Sequence, residues 1–170
     1  MGRRHRYVAE LREEMDKLIQ EAPFSTPDIT MEYRSSPEID PHSADNLAVA
    51  LDHKQSAERD ARRPLIGPHR DELFLSWGGR EARRVGSAGE KKLLGMVLTA
   101  ARGRVLSRHG RDPVYLLDDI DSELDRNRLA ACFSLFSSEE QVILTSSNPD
   151  LSKYLEGLRT WSLSSGGISS

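Results

Sequence analysis

Two neighbouring carboxylates, Asp118 and Asp119, stand directly after four apolar residues, 114–117. A strand of a parallel sheet delivers the side chains at its carboxyl end into the crevice where α/β folds bind ligands. One carboxylate there can hold Mg²⁺, directly or through water, and a second can orient an attacking water molecule. The pair therefore predicts metal-assisted attack by water. The simpler alternatives are a helix N-cap or a solvated turn after a strand.

The residues that follow this pair favour the chemical interpretation. The run Ser122–Asp125, of sequence Ser-Glu-Leu-Asp, begins shortly after Asp119. Together the two runs resemble the Walker B motif and the D-loop of ATP-binding-cassette (ABC) ATPase heads, which belong to the P-loop type. This resemblance implies that Asp118 ligates Mg²⁺ through water, that Asp119 polarises the hydrolytic water, and that Asp125 crosses a dimer interface. Asp125 also suits the N-cap of the following helix.

A run of small residues lies upstream, at the start of a predicted helix. Ser87 and Gly89 allow backbone N–H groups to approach a phosphate, and a helix N-terminus favours an anion. The resemblance assigns Ser87, Gly89 and Glu90 to the signature loop, which contacts the γ-phosphate of ATP held by the opposite subunit, with Lys91 as a further cofactor-binding candidate. Glu90 stands where related heads usually have glutamine, so Lys91 or Lys92 must offset its charge. The alternative is an ordinary capping signal.

A third motif precedes these two. Gly67–Leu73 has the sequence Gly-Pro-His-Arg-Asp-Glu-Leu. With the two later motifs, in this order and at this spacing, it resembles the RecF family of ABC-type ATPases of recombinational DNA repair, over about residues 60–150. The functional interpretation makes His69 and Arg70 a basic contact near the nucleotide or the subunit interface. The alternative is a polar turn that leads into a strand.

Hydroxyl side chains follow the next predicted strand. Thr145 and Ser146 stand at its end, where ABC transporters keep a histidine and RecF-like heads resemble this chain in having Thr and Ser. Either hydroxyl can hydrogen-bond the attacking water or sense the γ-phosphate. A polar strand end with no catalytic role is the alternative.

The elements that must position these residues alternate in the second half of the chain. A helix over 89–108 precedes two short apolar runs that are bounded by chain breakers, and such runs are typical of buried strands. The order strand, helix, strand, helix, strand predicts a parallel, right-handed α/β layer. The predicted elements are 114–117, 125–136, 141–145, 150–156 and 160–163. We therefore expect the C-terminal half of an ABC-type (P-loop NTPase) head.

The first half of the chain is mainly helical and is interrupted by prolines. Its periodicity predicts helices over 7–20 and 43–60, the second capped by Ser43, with a strand at 29–33 between them. A strand over 73–77 is expected to turn at two glycines and to pair with a second strand that runs through Val85. We predict that 1–60 is the distal part of a helical arm and that 61–170 is the C-terminal lobe of the head.

Composition restricts the setting of the protein. The net charge of −3 gives no global attraction to nucleic acid or to membranes. Cys132 is the only cysteine, so no intrachain disulfide can form, which fits a reducing compartment. No apolar run is long enough for a signal peptide core or a membrane helix. We therefore expect an intracellular protein without a membrane partner, and the resemblance implies the bacterial cytoplasm.

One part of an ATPase site is missing from the sequence. The Walker A loop, Gly-x-x-x-x-Gly-Lys-Ser/Thr, supplies the phosphate cradle and a lysine, and this chain contains no Gly-Lys pair. We therefore expect weak ATP binding by this chain alone. The expectation is that the chain is the C-terminal portion of a longer protein, cut inside the arm, and that it exposes surface which normally meets the N-terminal half.

The resemblance implies a function for the intact protein. It implies an ATPase that uses ATP and Mg²⁺, forms an ATP-dependent homodimer, binds DNA at junctions of single and double strands, and works with mediators of the RecO/RecR type. One alternative is the head of an SMC-like or RecN-like repair ATPase. Another is a non-catalytic interaction module, which Glu90 and the missing Walker A loop favour, whereas the intact Asp118, Asp119 and Ser122–Asp125 argue against it.

Overall fold

The computed structural model describes residues 2–23, 28–35, 44–137, 140–153, 155, 157–164 and 166–169. The chain divides into two compact units. The first comprises Met1–Asp16 and Thr26–Gly86, and the second comprises Lys17–Ser25 and Ser87–Ser170. The division into an arm over 1–60 and a lobe over 61–170 stays a prediction.

Two helices form much of the first half of the chain. Helix α1, Gly2–Glu21, begins earlier than predicted, and its Leu11, Met15 and Leu18 are buried at helical spacing. Helix α2, Ala44–Ala61, agrees with the predicted span. The predicted N-cap of α2, Ser43, lies outside the described residues. No helix in the described part of the chain is long and apolar enough to cross a membrane.

The first unit contains an antiparallel sheet in the order β1-β2-β3. Its strands are β1, Ile29–Arg34, β2, Glu72–Trp77, and β3, Arg80–Glu81. The two glycines between β2 and β3 have φ angles of 58° and 75°, a left-handed conformation that glycine adopts without steric cost. Helix α2 lies in the long connection between β1 and β2, so the sheet joins residues far apart in the sequence.

The prediction that the second hairpin strand runs through Val85 is wrong. Strand β3 ends at Glu81, and a single helical turn, α3, follows at Ala82–Val85. The backbone N–H of Gly86 donates to the carbonyl of Ala82 at 3.0 Å, which closes this turn. Ala82 is buried, and alanine and arginine favour a helix over a strand, so this sequence supports the turn better than a longer hairpin.

The second unit has the predicted parallel pair of strands. Helix α4, Ala88–Arg108, precedes β4, Val114–Leu117, and helix α5, Arg126–Phe133, precedes β5, Gln141–Leu144. Strands β4 and β5 pair in parallel, which confirms the predicted pairing. The inner face of α4 is buried as its periodicity predicted, through Leu93, Leu94, Val97 and Ala101.

Tyr115 fixes the distance between β4 and α4. A Cβ atom added at Gly103 in α4 would lie 1.8 Å from the Tyr115 hydroxyl oxygen, so only glycine fits there. The Tyr115 hydroxyl donates to Oε1 of Glu140 at 2.7 Å, and its ring meets Phe136 edge to face at 4.8 Å. Burial, and then the Glu140 carboxylate, raise the pKa of Tyr115.

The two strands predicted as buried are buried on one face only. Tyr115 lies on the covered face, with 4% of its surface exposed, whereas Leu116 on the other face is 72% exposed. Val114 and Ile143, which share that outer face, are each 51% exposed. Parallel sheets normally have both faces covered, so among the residues that the structure describes this apolar face of β4 and β5 lacks the layer that such sheets carry.

The last strand does not extend the parallel pair. Strands β6, Ser162–Ser164, and β7, Gly167–Ser169, form an antiparallel hairpin, and no pairing of β6 with β5 exists within the described residues. Gly166, with φ of 84°, supplies the turn. The predicted helix at 150–156 is a short 3-10 turn over Leu151–Lys153, with residues 154 and 156 outside the description. The expected alternation therefore ends after β5.

Candidate functional site

Asp118 and Thr145 meet at the carboxyl edge of the parallel pair. The register places Leu117 opposite Leu144, so the residues that follow both strands emerge side by side. The backbone N–H of Thr145 donates to the carbonyl of Leu117 at 2.9 Å, and the carbonyl of Thr145 accepts from the N–H of Ile120 at 3.1 Å. These two bonds extend the pairing beyond β5 and bracket Asp118 and Asp119.

The hydroxyl of Thr145 holds both predicted acids. Its oxygen accepts a hydrogen bond from the backbone N–H of Asp119 at 2.9 Å, and its proton is donated to Oδ1 of Asp118. A hydroxyl has one proton to donate, so in this arrangement Thr145 orients the Asp118 carboxylate. The structure thus brings together three of the predicted site residues.

Asp119 turns the chain away from the strand. Its φ of 49° lies in the left-handed region, which aspartate tolerates better than most side chains. Ile120, only 1% exposed, anchors the turn in the core. The side chains of Asp118 and Asp119 lie at the surface, where two carboxylates can meet a ligand and solvent.

The donor set at this edge suits Mg²⁺ bound mainly through water and phosphate oxygens. No group of three or more histidine, cysteine, aspartate or glutamate side chains able to hold a metal occurs in the described part of the chain. Magnesium usually keeps several waters and takes only one or two carboxylates together with substrate phosphates. The oriented carboxylate of Asp118 fits that mode, in which the protein supplies no closed cage.

Ser87 and Glu90 form a reciprocal cap at the start of α4. The N–H of Ser87 donates to Oε2 of Glu90 at 2.7 Å, the Ser87 hydroxyl donates to the same oxygen at 2.8 Å, and the N–H of Glu90 donates to the Ser87 hydroxyl at 3.3 Å. The backbone bond from Ser87, and then the hydroxyl bond, lower the pKa of Glu90. Glu90 therefore occupies donors of Ser87 that the resemblance assigns to phosphate.

The basic residues next to Glu90 do not offset its charge in the expected way. Arg128 of α5 is the cation whose charge adds to the lowering of the Glu90 pKa. Lys91 is exposed. Lys92, which the sequence offered as a counter-charge, contacts other groups: its ammonium donates to the backbone carbonyl of Asp119 and to the hydroxyl of Ser122.

The contact of Lys92 with Asp119 and Ser122 was not predicted from the sequence. Lys92 stands three residues after Gly89, and residues at that spacing share one face of a helix. A Cβ atom at Gly89 would lie 2.7 Å from the carbonyl oxygen of Glu123, so this face lies directly on the predicted D-loop. The three-residue spacing between Gly89 and Lys92 is the sequence feature that could have indicated this contact.

Asp125 is the N-cap of α5. Its Oδ1 accepts from the backbone N–H of Arg128 at 2.9 Å, and its Oδ2 lies 3.6 Å from Nε of the same arginine. The capping alternative is therefore observed, and the predicted contact across a dimer interface stays a prediction. Ser146 also has a local partner, because its hydroxyl accepts from the N–H of Asn148 at 2.9 Å.

His69 and Arg70 belong to the first unit, in a 3-10 turn over Pro68–Arg70. Both side chains are exposed. Arg4 of α1 holds the turn: its Nη1 donates to the carbonyl of Pro68 at 2.9 Å and to Oδ2 of Asp71 at 2.7 Å. The turn is thus anchored through neighbouring groups and presents its two basic side chains to solvent.

Asp71 is the buried centre of that anchor. Only 5% of its side chain is exposed, and it accepts a hydrogen bond from the hydroxyl of Tyr33 in β1 as well as from Arg4. Burial, and then the bond to Asp71, raise the pKa of Tyr33. The proximity of His69 and Arg70 to a nucleotide stays a prediction.

Comparison with known proteins identifies relatives. No protein-family model matches the chain. The DNA replication and repair protein RecF of Streptomyces avermitilis is 34% identical over 160 residues, which cover 89% of this chain and 42% of the relative. RecF of Acidothermus cellulolyticus is 34% identical over 157 residues, which cover 87% of this chain and 42% of the relative.

The fold of this chain is similar to that of solved RecF structures. A structure of the recombination mediator protein RecF-ATP in the RecFOR pathway has a TM-score of 0.74 and 24% identity, covering 99% of this chain and 45% of that chain. A second one, of RecF-ATPrS, has a TM-score of 0.70 and 24% identity, covering 97% of this chain and 44% of that chain. This chain thus spans less than half the length of the proteins it matches. The expected fold class is confirmed, because the chain is similar in sequence to RecF proteins over most of its own length and shares the α/β fold of the solved RecF structures.

Proposed function

We propose that this chain supplies the signature loop, Walker B motif and D-loop of a RecF-like ATPase that acts in DNA replication and repair. The observation that carries the proposal is the arrangement around Thr145, whose hydroxyl bonds both Asp118 and the backbone of Asp119. An ordinary polar strand end does not need a hydroxyl that orients a surface carboxylate. A site that holds Mg²⁺ beside a phosphate does.

The residues take distinct roles in this proposal. Asp118 holds Mg²⁺ through water, and Asp119 polarises the water that attacks the γ-phosphate of ATP. Thr145 orients Asp118, and Ser146 lies near the γ-phosphate. A second protomer presents its signature loop to the same ATP, through the set Ser87, Gly89, Glu90 and Lys91, and its Asp125 reaches across the interface.

The exposed apolar face of β4 and β5 supports the need for a second half. Leu116, Val114 and Ile143 are more than half exposed on the outer face of a parallel pair. Burying one such side chain contributes about 1.5–3 kcal/mol, so a covering layer gains stability from this face. We propose that the layer is the Walker A half of a RecF-like head, which also supplies the missing phosphate loop.

The biological setting follows from the relatives and is part of the proposal. We propose a bacterial cytoplasmic protein that dimerises with ATP, binds DNA at junctions of single and double strands, and works with mediators of the RecO/RecR type. In this proposal His69 and Arg70, on the turn that Arg4 anchors, make a basic contact near the nucleotide or the subunit interface. The arm at 1–60 and the lobe at 61–170 are the corresponding subdomains.

A second candidate function is a non-catalytic interaction module of the same fold. Glu90 favours it, because its carboxylate takes up donors of Ser87 and adds a negative charge where ATP must approach. The experiment described next separates the two candidate functions, since an assembly that contains a non-catalytic module does not hydrolyse ATP.

The test joins this chain to a RecF-type N-terminal half and measures ATP hydrolysis and ATP-dependent dimerisation by light scattering. The assembled protein is expected to dimerise with Mg-ATP and to hydrolyse it. Asp119→Asn is expected to dimerise persistently, because ATP binding remains while the water is no longer polarised. Asp112→Asn, at an exposed carboxylate before β4, is the matched control. If the unsubstituted assembly neither dimerises with Mg-ATP nor hydrolyses it, the proposal is overturned.

A further inference from the structure

Lys92 links α4 to the turn that follows Walker B. Its ammonium donates to the backbone carbonyl of Asp119 and to the hydroxyl of Ser122, residues 27 and 30 positions further along the chain. A lysine ammonium has three protons to donate, and two of them are used here on neighbouring groups of one turn. This contact is more specific than the solvated position that a surface lysine usually takes.

The carbonyl of Asp119 collects three donors. Besides Lys92, it accepts from the hydroxyl of Ser122 at 3.2 Å and more weakly from the N–H of Ser122 at 3.4 Å. Within this short turn both Asp119 and Glu123 have left-handed φ angles, 49° and 66°. Such a conformation persists in non-glycine residues only where the surroundings hold it. The ammonium of Lys92 is one of the groups that hold it.

A steric contact accompanies the polar one. Gly89, one turn before Lys92, approaches the carbonyl of Glu123 so closely that a Cβ atom would lie 2.7 Å away. The first two turns of α4 therefore contact the Asp119–Glu123 turn at two points, one by close packing and one by hydrogen bonds. The helix start cannot shift toward or away from the turn without disturbing one of them.

We propose that Lys92 is a positioning residue that holds the start of α4 against the Asp119–Glu123 turn. Binding of ATP at the Ser87–Glu90 loop is thereby coupled to the position of Asp119. This inference deepens the proposed function and rests on it. Lys92 does not touch ATP; it acts through the carbonyl of Asp119. The arrangement explains why Lys92 serves Asp119 instead of neutralising Glu90.

The first test does not depend on ATP. Hydrogen exchange of the Ser122 amide is measured in the full 170-residue chain, for the unsubstituted chain and for Lys92→Met. Loss of the ammonium is expected to raise the exchange rate about tenfold, because the turn loses a charge-assisted hydrogen bond. Arg102→Met, at an exposed basic residue on the same helix, is the control and is expected to change nothing. Unchanged exchange in Lys92→Met overturns the inference.

A double substitution guards against a variant that is merely destabilised. If Lys92 acts through this turn, the two substitutions Lys92→Met and Ser122→Ala are not independent. The double variant then raises the exchange rate of the turn by less than the product of the two single fold-changes. Fully multiplicative effects indicate independent roles and overturn the inference. If Lys92→Met does not fold, Lys92→Gln, which keeps a polar end, replaces it in the same cycle.

The second test uses the chain assembled with a RecF-type N-terminal half. Lys92→Met is expected to lower kcat for ATP hydrolysis about tenfold while KM changes less than twofold, because the role is in placing Asp119. Lys92→Arg, which keeps donors, is expected to recover most of the rate. A rise in KM with an unchanged kcat overturns the inference. If the unsubstituted assembly has no ATPase activity, the proposed function fails, whereas the exchange measurements still decide whether Lys92 holds the turn.

Discussion

Thr145 and Asp118 are joined by a hydrogen bond in which the threonine hydroxyl donates to Oδ1 of the carboxylate. The same hydroxyl oxygen accepts from the N–H of Asp119 at 2.9 Å. A side chain on one strand end therefore fixes both acids at the end of the neighbouring strand. Parallel register makes this possible, because Leu117 and Leu144 lie opposite each other and the following residues emerge at one edge.

Removal of this hydroxyl is the first prediction. Thr145→Val keeps the branched shape but neither donates nor accepts, so Asp118 and Asp119 lose their common partner. We expect ATP hydrolysis by the chain assembled with a RecF-type N-terminal half to fall about tenfold or more, a barrier increase of about 1.4 kcal/mol per tenfold. Steady-state hydrolysis at saturating ATP is the measurement.

Two controls define the result for Thr145. Thr145→Ser keeps the hydroxyl and is expected to retain most of the activity. Thr99→Val removes a hydroxyl that bonds the carbonyl of Gly95 inside α4, and it is expected to leave hydrolysis unchanged. Equal losses in Thr145→Val and Thr145→Ser contradict an orienting role for the hydroxyl.

The cap at the start of α4 gives a pH prediction. Hydrogen bonds from Ser87 hold the pKa of Glu90 below the ordinary value of a glutamate carboxyl. A depressed folded-state pKa means that the stabilisation is present above the unfolded-state pKa and is lost as the pH falls through the folded-state pKa. We expect the carboxyl of Glu90, followed by NMR, to titrate at a lower pH than an ordinary glutamate, with the Ser87 N–H losing its protection in the same range.

Glu90→Gln is the matched variant for this titration. Glutamine still caps a helix start, but it has no proton to gain in this range, so the pH dependence of the Ser87 N–H should disappear. A Glu90 midpoint at or above that of an ordinary glutamate contradicts the hydrogen-bonded cap.

The sequence predicted the site edge better than the contacts behind it. Apolar runs with breakers at each end were enough to predict β4, β5 and a parallel layer, whereas the hydrogen bond between Thr145 and Asp118 was not predicted. The partners of Lys92 could not be predicted from the sequence, because tertiary packing decides which turn lies within reach of a long flexible side chain. The end of β3 at Glu81 was missed for a different reason, because the hairpin signal of the two glycines was given more weight than the helix preference of alanine and arginine in 82–84.

The contact between Gly103 and Tyr115 gives a stability prediction. Gly103→Ala would place its Cβ atom 1.8 Å from the Tyr115 hydroxyl oxygen, and the ring is held by Glu140 and Phe136. We expect overpacking to lower the free energy of unfolding by about 1–3 kcal/mol, measured by urea denaturation. Gly95→Ala, in the same helix with nothing within 4 Å of its Cβ, is expected to raise it by up to about 1 kcal/mol. Equal effects of the two substitutions contradict the packing explanation.

The uncovered face of β4 and β5 gives the last prediction. Leu116 is 72% exposed, and in the proposed function it packs against the Walker A half. Leu116→Thr introduces a β-branched residue, which suits a strand, and removes most of the apolar surface, so we expect binding of that half to weaken about tenfold or more, since a buried leucine contributes ~1.5–3 kcal/mol. Titration of the N-terminal half into the chain, followed by calorimetry, measures the change. Val49→Thr, at a valine of α2 that is 54% exposed, is the control for general loss of surface hydrophobicity. If Val49→Thr weakens binding as much as Leu116→Thr does, the partner does not cover this face of the sheet.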